Sequence, residues 1–201
     1  MKLNEEIIEI LDHTAEKLAE AVASLSFDVW SRKDFRLFVN FPNISQTEQD
    51  RIFNELEVSI LGLLILKFDD GISRKDKEFG LMLEYFENKL IDGFLNLFRN
   101  LKVEEKFVKQ WKTLIDMRLS EYRNHYKVAI RESSKMREFD RNEESLKISW
   151  ARVETITIDC LTHIRRGNVE EKDPLWKFLR KWFISLESKL APLTSAINED
   201  R

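Results

Sequence analysis

The sequence predicts an all-α protein, a single-domain elongated bundle of five or six helices. Three observations carry that prediction. Only 5 Gly and 3 Pro occur in 201 residues, too few for the many turns of a β fold. Apolar residues recur at spacings of three and four over most of the chain. The composition, 43% hydrophobic and 34% charged with 14 Phe and 5 Trp, belongs to a globular chain rather than a disordered one. The length suits one domain, residues 1–201, with a sizeable core.

Predicted helix one opens at Asn4, a capping residue, with Glu5 and Glu6 set against the positive end of the helix dipole. Ile8, Leu11, Ala15, Leu18, Val22, Leu25 and Val29 then form an apolar seam. Two readings of the seam stand: packing inside the bundle, or a coiled-coil contact with a second subunit. Residues 31–44 alternate like a strand through Phe35, Leu37, Val39 and Phe41, yet Phe35, Phe38 and Phe41 also suit a short helix. Pro42 ends either one. A strand would have no partner in this chain, so the stretch reads as an aromatic connector packed on the bundle; the alternative is an exposed binding arm.

Ser45-Gln-Thr-Glu48 is a capping box that opens predicted helix two. Ile52, Phe53, Leu56, Ile60, Leu63 and Leu64 recur along it. From Val58 to Leu66 it is apolar on nearly every face, so it should be the most enclosed helix. Gly71 supplies a stop, and Ser73 to Asp76 a new start. Predicted helix three covers about Arg74 to Arg99, with a stripe of Phe79, Met82, Leu83, Phe86, Leu90, Phe94, Leu97 and Phe98. Predicted helix four begins near Val103 and meets no breaker before Phe139, with Val108, Trp111, Ile115, Leu119, Tyr122, Tyr126 and Ala129 on one face. Such a helix implies an elongated bundle or an overhanging end available to a partner. Predicted helix five covers about Glu143 to Arg166, with Leu146, Trp150, Val153, Thr157, Cys160 and Ile164 inward and Gly167-Asn168 as its stop. The β-branched run Thr155-Ile-Thr-Ile158 argues against a helix there. Asp173-Pro174 starts helix six, whose inner face is Trp176, Leu179, Phe183, Leu186 and Leu190; Pro192 should kink or end it.

The net charge of −3 is unevenly spread. Residues 1–100 carry 12 basic and 19 acidic side chains, and residues 101–141 carry 11 and 7, so only the middle segment favours an acidic partner. The single Cys160 excludes an internal disulfide and fits a reducing, cytoplasmic setting; it falls on an apolar face and reads as a core thiol. The acidic, amphipathic N-terminus is unlike a signal peptide, and no apolar run approaches the roughly 20 residues of a membrane span.

Candidate chemistry centres on the histidines. Each follows a carboxylate by four residues: Glu9 and His13, Glu121 and His125, Asp159 and His163. Two such pairs on facing helices could hold a metal, although the di-iron spacing Glu-x-x-His is absent. On helical wheels Glu121 and Asp159 lie outside their stripes, which favours solvated ion pairs instead. Arg118 and His125, separated by six residues, resemble the Arg-x4–6-His motif of HEPN ribonucleases. That resemblance covers Met117 to Tyr126 and departs from the family at Leu119, where a polar residue is usual. It implies metal-independent RNA cleavage, with Arg118 stabilising phosphate and His125 aiding proton transfer, usually across a dimer.

Phe68-Asp69-Asp70 is similar to the aspartate-rich diphosphate–magnesium motif of class I terpene synthases, which implies a metal at Asp69 and Asp70. The second metal motif of that family is missing. Asp70-Gly-Ile-Ser is also similar to the inter-helix turn of TerB-like proteins. The plainer reading of the same residues is a helix end. Lys102, Lys106, Lys109, Arg123, Lys127 and Arg131 lie opposite the apolar stripe of predicted helix four, so RNA is a possible partner there; a charged solvent face is the alternative. No cofactor is indicated. The favoured function is a non-enzymatic interaction or regulatory protein that self-associates through helix one or helix four; the alternatives are the HEPN-like ribonuclease and a metal-dependent bundle enzyme.

Overall fold

Seven α-helices and one 3-10 turn form the regular structure of residues 4–72, 77–133, 135 and 144–199, which the computed structural model describes. No strand occurs among them, so the fold is all-α. The helices are α1 (Glu5–Ser31), α2 (Lys33–Phe38), α3 (Gln46–Ile72), α4 (Lys77–Asn100), α5 (Glu105–Ser133), α6 (Glu144–Ile164) and α7 (Pro174–Glu199), with the 3-10 turn at Phe41–Asn43. They gather in two compact units, Met1–Ser31 with Leu56–Glu121, and Arg32–Glu55 with Tyr122–Arg201. The six long helices correspond to the six expected from periodicity, and α2 is the addition.

In the first unit α1 packs along α4, and their contacts advance together along both helices, so the two run parallel. Ala15, Val22 and Val29 of the α1 seam are fully buried, as is Ala19 beside it, while Ile8, Leu11, Leu18 and Leu25 are half-buried. Small residues let the backbones close up. A Cβ added at Gly93 would sit 3.4 Å from the Cβ of Ala19 and 3.7 Å from the Ala15 carbonyl oxygen. Near one end the Tyr85 hydroxyl donates to Asp12 at 2.8 Å and Lys89 pairs with it at 3.4 Å. Phe68 of α3 meets Phe86 of α4 edge-on, with ring centres 4.8 Å apart. Trp111 of α5 stacks on Phe98 at 4.7 Å and meets Phe94 edge-on at 5.6 Å. The apolar run of α3 is enclosed as expected, with every residue from 56 to 66 buried.

In the second unit α6 and α7 run antiparallel. The connector before α3 is helical rather than extended: α2 and the 3-10 turn bury Phe35, Val39 and Phe41, and Phe35 and Phe38 both pack on Phe178 of α7, with ring centres 5.8 and 5.9 Å apart. Arg32 lies over the same Phe178 ring at 4.7 Å. Asn40 takes φ of 56°, the left-handed region that asparagine tolerates, and so turns the chain into Pro42.

The ends of the helices follow local chemistry, with some departures from expectation. Asn4 Oδ1 accepts from the Glu6 amide at 3.1 Å, and Asp173 Oδ1 accepts from the Leu175 amide at 2.9 Å. Ser45 Oγ accepts from the Glu48 amide at 3.2 Å, but the Glu48 carboxylate turns to Arg51 and Arg166 instead of completing the box. Two helices end in Schellman turns. In α4 the Val103 amide reaches the Phe98 carbonyl at 3.0 Å around Lys102 at φ 60°; in α6 the Gly167 amide reaches Thr162 at 2.8 Å around Arg166 at φ 53°. The left-handed residue of α6 is therefore Arg166, one position before the expected glycine, while Gly167 follows at φ 80°.

Gly71 does not stop α3, which runs through Asp69-Asp70-Gly71 to Ile72. Pro192 does not end α7, which continues to Glu199. The run Thr155-Ile-Thr-Ile158 is helical, its β-strand preference overridden by burial of Thr155, Ile156 and Thr157. Leu146, expected inside, is 55% exposed in the first turn of α6. The start at Ser73–Asp76 and the extension of predicted helix four through 136–139 lie outside the described residues.

Candidate functional site

Helix α6 is apolar enough to be drawn into the interior of its unit, yet it carries Arg152, Glu154 and Asp159, all buried there. Burying a charge is costly unless a partner comes with it. Each has one. Arg152 donates to Glu187 of α7 at 2.7 Å, with both side chains more than nine-tenths buried, and Ser149 approaches the same oxygen at 3.3 Å. Arg180 of α7 pairs with Glu154. The last carbonyls of α6, those of His163 and Ile164, accept from Arg51 at 2.7 and 2.8 Å. Hydrogen bonds from Arg51, seconded by Arg166, pull the Glu48 carboxyl down to about 2. Arg165 holds Asp173 at 2.6 Å and the Phe38 carbonyl at 3.0 Å, which keeps the Asp173 carboxyl below its ordinary range.

The remaining buried charge, Asp159, meets His125 of α5. Nδ1 of His125 lies 2.8 and 3.0 Å from the two carboxylate oxygens. The two side chains differ sharply in exposure, 60% for His125 and 7% for Asp159. An ionised carboxylate only accepts, so Nδ1 is the donor to Asp159, and a ring protonated there alone keeps a lone pair on Nε2. A buried carboxylate thus orients an imidazole that stands open to solvent. This is an arrangement that can take up and return a proton at Nε2.

The expected pairs along single helices give way to this one across helices. Asp159 was expected outside its stripe and solvated; it is buried because α6 is covered on nearly all sides, and the wheel flank is therefore not solvent. His125 takes Asp159 rather than Glu121, its neighbour four residues before. In the first unit Glu121 accepts from Arg118 at 3.0 Å, and the Arg118 side chain is largely buried. His163 is half-buried near the end of α6, and His13 is exposed on α1. Asp69 and Asp70 are half-buried in the last turns of α3. Among the described residues no group of three or more His, Cys, Asp and Glu side chains converges to hold a metal. Cys160 is fully buried. No helix among the described residues is long and apolar enough to cross a membrane.

Sequence reading missed one group of note. Glu57, inside the enclosed part of α3, is 3% exposed and its Oε2 has no hydrogen-bond partner. Burial pushes its carboxyl up to about 8. The only signal was a glutamate one residue before the apolar run Val58–Leu66. Comparison with known proteins finds no family model, no curated protein and no solved structure that matches this chain.

Proposed function

We propose that this chain is a helical interaction protein that pairs with a second copy of itself through the outer face of α5. One observation carries the reading. Gln110, Thr113, Met117 and Ser120 form an exposed row at spacings of three and four with no charge in it, in a chain whose residues are 34% charged. Met117, at 46% exposure, supplies its apolar centre. The Thr113 hydroxyl is already satisfied by the Lys109 carbonyl at 3.0 Å. An antiparallel pairing centred between Thr113 and Met117 sets Thr113 against Met117, Gln110 against Ser120 and Lys109 against Glu121, so the row is complementary to itself. The seam of α1 supports the same choice of helix, since α4 already covers it. Sedimentation equilibrium over a range of concentrations tests the proposal: a reversible dimer is expected, and Met117→Glu should make it monomeric. A native chain that stays monomeric throughout overturns it.

A second reading, a HEPN-like metal-independent ribonuclease, is favoured by the His125–Asp159 geometry. Cleavage of a labelled RNA in excess chelator, abolished by His125→Ala, would support it. Unchanged cleavage in that variant would assign the activity elsewhere.

A further inference from the structure

Between Pro174 and Leu190 the outer face of α7 carries charge of one sign only. Lys177, Lys181 and Lys189 are exposed at i, i+4 and i+12, on one ridge of the helix with Ser185 between them. The only acidic residue between Pro174 and Leu190 is Glu187, and it is turned inward to Arg152. The remaining cation of that stretch, Arg180, is held by Glu154. Internal pairing has therefore drawn the carboxylate into the core and left three lysines in a line of about 18 Å, at 1.5 Å per residue. The wider setting agrees: the unit that contains α7 has 20 basic and 17 acidic side chains, against 13 and 19 in the other unit.

We infer that the Lys177–Lys181–Lys189 ridge of α7 binds the phosphodiester backbone of a nucleic-acid strand. A line of point charges suits a linear polyanion, because each lysine neutralises one phosphate and releases a counterion. A lipid surface is a poorer match. Of the apolar residues between Pro174 and Leu190, Leu175, Leu179, Phe183, Leu186 and Leu190 are buried within the unit, Trp176, Phe178 and Trp182 are half-buried, and Ile184, at 42% exposure, is the most exposed. Lysine contacts to phosphates carry no base information, so binding should not depend on base identity. This inference is independent of self-association through α5 and requires no cleavage.

The test is fluorescence anisotropy of an end-labelled 20-nucleotide polyuridine strand titrated with the full chain at several salt concentrations. Three lysine contacts to a single strand predict a slope of log K against log salt of about −2. The triple variant Lys177→Gln, Lys181→Gln, Lys189→Gln should bring that slope close to zero and weaken binding at low salt at least tenfold. A control triple with the same charge change at exposed lysines elsewhere, Lys17→Gln, Lys33→Gln, Lys135→Gln, should leave both nearly unchanged. Absence of binding by the native chain, equal losses in the two triples, or binding to vesicles rich in phosphatidylserine but not to the strand would each overturn the assignment. Circular dichroism of both triples checks that they are folded.

Discussion

Glu57 is the residue whose environment most directly opposes its charge. It lies in the enclosed stretch of α3, and its carboxyl is raised from 4.5 to about 8 by burial alone. The consequence for stability follows from proton linkage. Below pH 4.5 the carboxyl is protonated in both folded and unfolded chains and costs nothing. Between 4.5 and 8 the unfolded chain gives up the proton while the folded one keeps it, so stability falls as pH rises, by roughly 1.4 kcal/mol per unit. Above the folded value the penalty is complete. Glu57→Gln removes it, and denaturant unfolding from pH 4 to 9 should show the variant gaining on the native chain across that window, by several kcal/mol at its upper end. Parallel curves for the two would contradict this account of Glu57. The pair Arg152–Glu187 is the opposite case, in which two buried opposite charges lie 2.7 Å apart. Removing one partner of a buried ion pair leaves the other charge uncompensated, so Glu187→Ala should cost about 3–5 kcal/mol, whereas replacing both residues by Met and Leu should restore most of that stability in the same unfolding experiment.

The elements were largely legible in the sequence, and their failures have physical causes. Helix periodicity located all six long helices, because each buries apolar residues that recur at spacings of three and four. The caps at Asn4, Ser45 and Asp173 were readable because a short side-chain oxygen beside a helix start has few other uses. The stops were harder. Gly71 and Pro192 lie within helices, since tertiary packing overrides the local preference of one residue. Lys102 and Arg166 adopt left-handed conformations that their side chains do not advertise. The His125–Asp159 pair was hidden for another reason: a wheel drawn for α6 alone assigns a solvent side to a helix that has almost none. Element packing makes its own prediction at Gly93. Alanine there adds a Cβ at ordinary contact distance from Ala19, so Gly93→Ala should be neutral or stabilising by up to about 1 kcal/mol through helix propensity. Gly93→Leu should instead push α1 from α4 and cost on the order of 1–3 kcal/mol. Thermal unfolding of the two variants distinguishes a close crossing from a loose one, because equal effects would mean that the helices have room to spare.

At the scale of the whole molecule, charge is arranged by function of place. The interior of the second unit pairs its buried ions, and what is left outside is a row of lysines on α7. On α5 the outer row between Lys109 and Glu121 is left without charge. These two surfaces are the parts of the described chain that its own packing does not explain, and they imply different partners. The central claim is that the α5 row meets its own copy in antiparallel register. Cysteine cross-linking tests that register directly, since the native Cys160 is buried and does not compete. In an equimolar mixture of the single variants Thr113→Cys and Met117→Cys, mild oxidation should give a covalent heterodimer that links position 113 of one copy to position 117 of the other, in preference to either homodimer. Under the same conditions Lys17→Cys, on the outer face of α1, should stay monomeric. Equal cross-linking at both places, or none at 113 and 117, would contradict the pairing.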